Sequence, residues 1–139
     1  MQCRDARVAI VIGSQKDIEY AEKAATILRN SNVSVEVRVL SAHRSPRELD
    51  KFIEEHDNEI DLYIAMAGLS AALPGYIAAR TQKPVIGVPL PVGPLNGIDA
   101  LLSIVQMPRG VPVAGVGIGS AENSAHLALR ILRLAGKCK

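Results

Sequence analysis

Arg7–Asp17 reads RVAIVIGSQKD. Five apolar residues run without a polar interruption from Val8 to Ile12, Gly13 breaks the run, and polar residues follow. A short β-branched run with no alternation is the mark of a strand buried on both faces, as in a parallel sheet covered by helices. From about Asp17 the pattern becomes helical, with Ala24, Ala25, Ile27 and Leu28 falling on the inner side. Strand, glycine turn and helix in that order make the first half of a βαβ unit.

The same unit repeats to the end of the chain. Val33–Leu40 (VSVEVRVL) alternates like a strand with one wetter face, and a helix opens near Pro46, where proline suits a first turn. Leu62–Ala67 (LYIAMA) is a third strand, followed by a helix through Tyr76–Arg80. Val85–Val88 is a fourth strand, with a helix over Ile98–Val105 after a proline- and glycine-rich loop. Val113–Ile118 is a fifth strand and Ala121–Leu134 a closing helix. Alternating strands and helices predict an α/β fold with a doubly wound parallel sheet. At this size the expected order is 2-1-3-4-5, a flavodoxin-like three-layer domain spanning residues 1–139.

Composition agrees with that class. Hydrophobic residues make up 48% of the 139-residue chain and aromatics only 3%, so the core must come from Val, Ile, Leu and Ala. Few aromatics and a net charge of +2 argue against a nucleic-acid partner. No apolar run is long enough to span a bilayer, and no signal-peptide pattern opens the chain, so a cytoplasmic protein is expected. Cys3 and Cys138 form no C-x-x-C pair and stand at no metal-ligand spacing from the histidines. The preferred reading is two free thiols in a reducing cytosol and no metal site.

Ligands of open α/β sheets bind beyond the carboxyl ends of the strands. Four loops fall there. In Gly13-Ser14-Gln15-Lys16-Asp17, the glycine admits a close backbone approach, Ser14 can donate to a phosphate, and Asp17 can accept from ribose hydroxyls. A purely structural role, Ser14 or Asp17 capping the helix, explains this loop equally well. It is neither G-x-G-x-x-G nor a Walker A sequence. In Ser41-Ala42-His43-Arg44, an imidazole able to move protons adjoins a guanidinium able to grip an anion. Of three histidines only His43 lies on this edge. His56 sits in a polar helix end and reads as solvated, and His126 reads as a packing or surface residue. The small, apolar Gly68–Gly75 loop suits either the wall of a dry pocket or close helix–sheet packing. Pro89–Gly97 is longer than a minimal connection needs.

Taken together, V-I-G-S-Q-K-D at Val11–Asp17, S-A-H-R-S-P at Ser41–Pro46 and A-G-L-S-A-A-L-P-G at Ala67–Gly75 form a recognisable series. P-V-I-G-V-P at Pro84–Pro89 and L-N-G-I-D-A-L-L-S-I-V-Q-M-P at Leu95–Pro108 continue it. In order and spacing, over nearly the whole chain, the series resembles the N5-carboxyaminoimidazole ribonucleotide mutase family, also called the catalytic subunit of phosphoribosylaminoimidazole carboxylase. The resemblance implies a flavodoxin-like subunit of a homo-octamer with active sites at subunit contacts. It implies a small ribonucleotide substrate, CO2 as the group transferred, and no cofactor. His43 is implied as the proton shuttle, and Ser14, Asp17 and Arg44 as nucleotide ligands. Gly13, Ser41, Ala42, Gly68, Leu69, Ser70 and Leu73 are implied as further substrate contacts, with Ala71 and Ala72 helping to keep the pocket dry and Leu95–Asn96 helping to close it.

The sequence departs from the family pattern at two site positions. Ala72 stands where most mutases carry His, and Lys16 where the family usually has Ser. Many relatives also carry a further C-terminal helix. The reaction expected is internal transfer of CO2 from the exocyclic nitrogen to the ring carbon in purine biosynthesis. Direct carboxylation by CO2 and a non-catalytic nucleotide-binding paralogue are the alternatives. A response-regulator-like role needs clustered acidic residues at strand ends, and Asp17 stands alone.

Overall fold

The computed structural model describes residues 1–139. Its strands are β1 (Arg7–Ile12), β2 (Ser34–Val39), β3 (Leu62–Ala67), β4 (Val85–Pro89) and β5 (Ala114–Gly115). The helices are α1 (Ile18–Asn30), α2 (Pro46–His56), α3 (Leu73–Ala78), α4 (Ile98–Val105) and α5 (Ala121–Leu134). All pairings are parallel and the order is β2-β1-β3-β4-β5, the flavodoxin-like arrangement.

Strand alternation divides the core in two. Val8, Ile10 and Ile12 of β1, with Leu62, Ile64 and Met66 of β3, face α1 and α5. Ala9 and Val11, with Tyr63, Ala65 and Ala67, face α2, α3 and α4. The β1 core positions from Val8 to Ile12 have no solvent exposure, so truncating one of them, as in Ile10→Ala, is expected to cost about 2–5 kcal/mol. The register aligns the strand ends that matter: Ile12 pairs with Val39 on one side and Met66 on the other. Ala67 pairs with Pro89. The four loops after β1, β2, β3 and β4 therefore leave one edge side by side.

Three expectations need correction. Strand β5 is only Ala114–Gly115, not Val113–Ile118. Gly115, Gly117 and Gly119 supply no side chains to pack, and both residues of β5 are exposed. Helix α3 begins at Leu73, three residues before Tyr76, because Pro74 fits its first turn. The cysteines are not free: Cys3 and Cys138 are disulfide-bonded. The N-terminal segment and the tail after α5 run antiparallel, with Gln2 and Lys139 exchanging backbone hydrogen bonds of 3.0 and 2.8 Å. That pairing places the two cysteines opposite one another. Separated by 135 residues in sequence, they meet only in the fold.

Closing so long a loop restricts the unfolded chain, an effect of about 2–4 kcal/mol. Reduction, or Cys3→Ser, is expected to lower Tm by several degrees without changing the far-ultraviolet circular dichroism at 25 °C. An unchanged Tm in Cys3→Ser contradicts the assignment.

Candidate functional site

The loop ends enclose a cavity of about 430 Å³ at the carboxyl edge of the sheet. The residue implied as proton shuttle and the ten implied as substrate contacts all line it: Gly13, Ser14 and Asp17, then Ser41, Ala42, His43 and Arg44, then Gly68, Leu69, Ser70 and Leu73. Ala72 lines it as well. Ala71 does not; its side chain is buried in the core beneath α3. Leu95 and Asn96 are exposed and lie outside the lining. Their neighbours Pro91 and Val92 take the place expected of them.

Each wall is held by local bonds. The Ser41 hydroxyl accepts from the backbone N–H groups of His43 (3.2 Å) and Arg44 (3.1 Å), a side-chain turn that fixes both side chains' starting points. Ser41 N–H in turn donates to the Ser45 hydroxyl at 2.8 Å. Arg44 reaches across to the first loop, where its guanidinium donates to the Gly13 carbonyl. The third and fourth loops interlock. A Cβ on Gly68 would lie 2.7 Å from the Val92 side chain, so only glycine permits that approach. Leu69 adopts a left-handed φ of 55°, uncommon for a bulky residue, and is half exposed at the rim.

The capping explanation can now be judged residue by residue. Ser14 does cap, accepting from the Lys16 N–H at 3.3 Å, while its hydroxyl proton stays free to donate. Asp17 occupies the cap position of α1 and makes no side-chain capping bond. Its carboxylate is left to the pocket, where burial outweighs the nearby Arg44 guanidinium and raises its pKa above the ordinary value. Of the other histidines, His126 is exposed on α5. His56 is less solvated than expected, its ring 4.9 Å from that of Phe52 and between Glu55 and Glu59.

Tyr20 also lines the cavity, and sequence reading missed it. It sits three residues beyond Asp17, one helical turn, and that i, i+3 spacing is the signal in the sequence that points to it. Lys16 lines the same wall. No group of three or more His, Cys, Asp or Glu side chains is arranged to hold a metal ion. No helix is long and apolar enough to cross a membrane.

The family model described as AIR carboxylase matches residues 7–138. A Saccharolobus solfataricus protein named N5-carboxyaminoimidazole ribonucleotide mutase is 50% identical over 132 residues, covering 94% of this chain and 84% of that one. A Methanocaldococcus jannaschii protein of the same name is 51% identical over 127 residues, covering 91% and 79%. The crystal structure of Treponema denticola PurE superposes with a TM-score of 0.85 at 32% identity, covering 93% of this chain and 81% of that one. The match leaves almost no part of the chain outside it and takes in every loop of the cavity: the chain belongs to the AIR carboxylase family.

Proposed function

We propose that the chain converts N5-carboxyaminoimidazole ribonucleotide to 4-carboxy-5-aminoimidazole ribonucleotide in purine biosynthesis, acting as a mutase on the whole unit of residues 1–139. The observation carrying this reading is that the one histidine at the carboxyl edge shares a cavity with an arginine, a free carboxylate and a small apolar wall. In the reaction the carbamate N–C bond breaks, releasing CO2 and leaving the exocyclic amine. The ring carbon attacks the CO2 held beside it, and its proton passes to the amine nitrogen. His43 carries that proton. Arg44 and Ser14 hold phosphate or carboxylate oxygens, Asp17 accepts from ribose hydroxyls, and Gly68, Leu69, Ser70, Ala72 and Leu73 line the space for CO2. Holding both reactants together supplies the high effective concentration that free CO2 lacks.

A trapped gas needs a closed space. In the single chain His43, Arg44, Leu69, Ser70, Ala72, Pro91 and Val92 are all exposed at the cavity wall. Helix α4 meanwhile buries Ala100 and Ile104 but presents Ile98, Leu102 and Val105 to solvent, 57%, 54% and 47% exposed, with Leu95 beside them. Such an apolar face is a surface for association. We assign it to self-association into a homo-octamer, in which neighbouring copies complete the pocket. Purine biosynthesis supports a cytoplasmic location. There the disulfide would be shielded from reductants, its cysteines being 1% and 5% exposed. Ala72 removes a polar group from the wall, which favours direct carboxylation as the second reading.

Supplying the carbamate nucleotide and, separately, aminoimidazole ribonucleotide with bicarbonate separates the readings. The mutase reading expects turnover of the first at low bicarbonate. Turnover of the second alone makes the protein a carboxylase, and turnover of neither makes it a binding paralogue. Light scattering should give an oligomer, dissociated by Leu102→Glu; a wild-type monomer contradicts the assembly.

His43→Asn should lower kcat by at least ~100-fold while nucleotide affinity survives. Near-wild-type turnover moves the proton transfer elsewhere. Arg44→Leu should weaken nucleotide binding by calorimetry about tenfold or more. Asp17 gives a pH-dependent test. A carboxyl whose folded value is raised binds its proton more tightly in the folded state. Its ionisation therefore costs stability progressively as pH rises from the ordinary carboxylate value through the folded one, and fully above it. Asp17→Asn should leave Tm at neutral pH equal or higher while weakening nucleotide binding. A lower Tm there would show that Asp17 serves the fold.

A further inference from the structure

Helices α2 and α3 begin where two walls of the cavity end. Pro46, the first residue of α2, is two residues beyond Arg44, and Leu73, the first of α3, directly follows Ala72. Both helices rest on the same face of the sheet through apolar side chains: Leu49, Phe52 and Ile53 on one, Leu73 and Ile77 on the other. Apolar contact is non-directional and fixes the helix spacing less sharply than a hydrogen bond does. A directional bond is needed to fix the distance between the loops they carry.

One polar cluster supplies it. The Tyr76 hydroxyl on α3 donates to the Asp50 carboxylate on α2 at 2.8 Å and approaches the Pro46 carbonyl at 3.5 Å. Arg80 Nε donates to the same Asp50 oxygen at 2.8 Å. The Arg80 guanidinium lies over the Tyr76 ring, 3.5 Å from its centroid, and donates from Nη1 to the Tyr76 carbonyl at 2.9 Å. The Thr81 hydroxyl, just past α3, also donates to Asp57, just past α2, at 2.6 Å, so the far ends of the two helices are tied separately and the Asp50 cluster is the tie near their starts. The bond to Asp50 holds the phenol pKa above its ordinary value, so Tyr76 remains a donor throughout the working range.

We propose that Tyr76 and Asp50, braced by Arg80, are positioning residues for the reaction: they hold the His43–Arg44 wall at a fixed distance from the Gly68–Ala72 wall, and so set how tightly CO2 is retained between them. None of the three lines the cavity. Their effect passes through the helix starts. The proposal rests on the mutase reading for its chemistry and on the α2–α3 geometry for its structure, and the test separates the two.

Tyr76→Phe keeps the ring beneath Arg80 and removes the one hydrogen bond that runs directly from α3 to Asp50; Asp50→Ala removes the acceptor of both Tyr76 and Arg80. The first readout is the fraction of carbamate nucleotide that ends as aminoimidazole ribonucleotide plus CO2 instead of ring-carboxylated product, after subtracting enzyme-free loss. This ratio does not depend on how much protein is folded. Each variant should raise it several-fold and lower kcat between about tenfold and 100-fold, the range expected of sub-ångström to 1 Å misplacement. KM should move by less than about threefold, a split that marks loss of transition-state positioning. The double variant should be no worse than Asp50→Ala alone, since the bond that Tyr76→Phe removes is already lost with its acceptor. A wild-type ratio in both variants, or additive losses, overturns the proposal. The second readout is hydrogen exchange in the nucleotide-free protein. Both variants should speed exchange at residues 41–45 and 68–73 together, leaving β1 and β3 unchanged. Unchanged exchange in either loop overturns the proposal. If the wild type does not turn over the carbamate nucleotide, the mutase reading fails alone and hydrogen exchange decides the positioning claim.

Discussion

A parallel sheet covered on both faces has no room inside for a reactive group. Every inward position of β1 and β3 is spent on packing: Val8, Ile10 and Ile12 toward α1 and α5, Ala9 and Val11 toward α2, α3 and α4. An ionised side chain placed there would lose its water without compensation, and the one hydroxyl present, on Tyr63, reaches out to the Asp57 carboxylate at 2.8 Å. Polar chemistry is therefore displaced beyond the strand ends, and the register decides which loops share it. Because Ile12, Val39 and Met66 lie level, and Ala67 lies level with Pro89, four loops arrive at one edge. The cavity is a consequence of the core being full.

What distinguishes this edge from an ordinary set of turns is how its loops bind one another. The Arg44 guanidinium ties the second loop to the first through the Gly13 carbonyl. The side chain of Val92 packs where a Cβ on Gly68 would have to go. Ser41 holds the His43 and Arg44 amides with one oxygen. These bonds fix each loop locally. The space between the second and third loops is set by how the helices that follow them are joined, one turn into each.

Patterns that rest on local periodicity were legible in the sequence. Leu62–Ala67, Ile98–Val105 and Ala121–Leu134 coincide with β3, α4 and α5. Their run length or spacing is set by what each element buries. The residues that line the cavity were legible for a related reason, since short motifs at strand ends are carried by loops whose place the fold dictates. Legibility ended where distant segments decide the outcome. β5 needs β4 and side chains to pair, and its glycines leave only two paired residues. The disulfide needs both termini side by side. Ala71 follows the same logic: adjacent to lining residues in sequence, it is turned into the core by the start of α3.

The central claim is that one pocket breaks the carbamate and rebuilds the carbon–carbon bond without letting CO2 leave. Carbamate nucleotide labelled with carbon-13 in its carboxyl group, converted in a solution of unlabelled bicarbonate, tests it directly. The account predicts that the product's ring carboxyl keeps the label nearly undiluted, even as bicarbonate is raised to large excess. A product whose label falls in proportion to added bicarbonate would show that CO2 enters from solution, and would contradict the account.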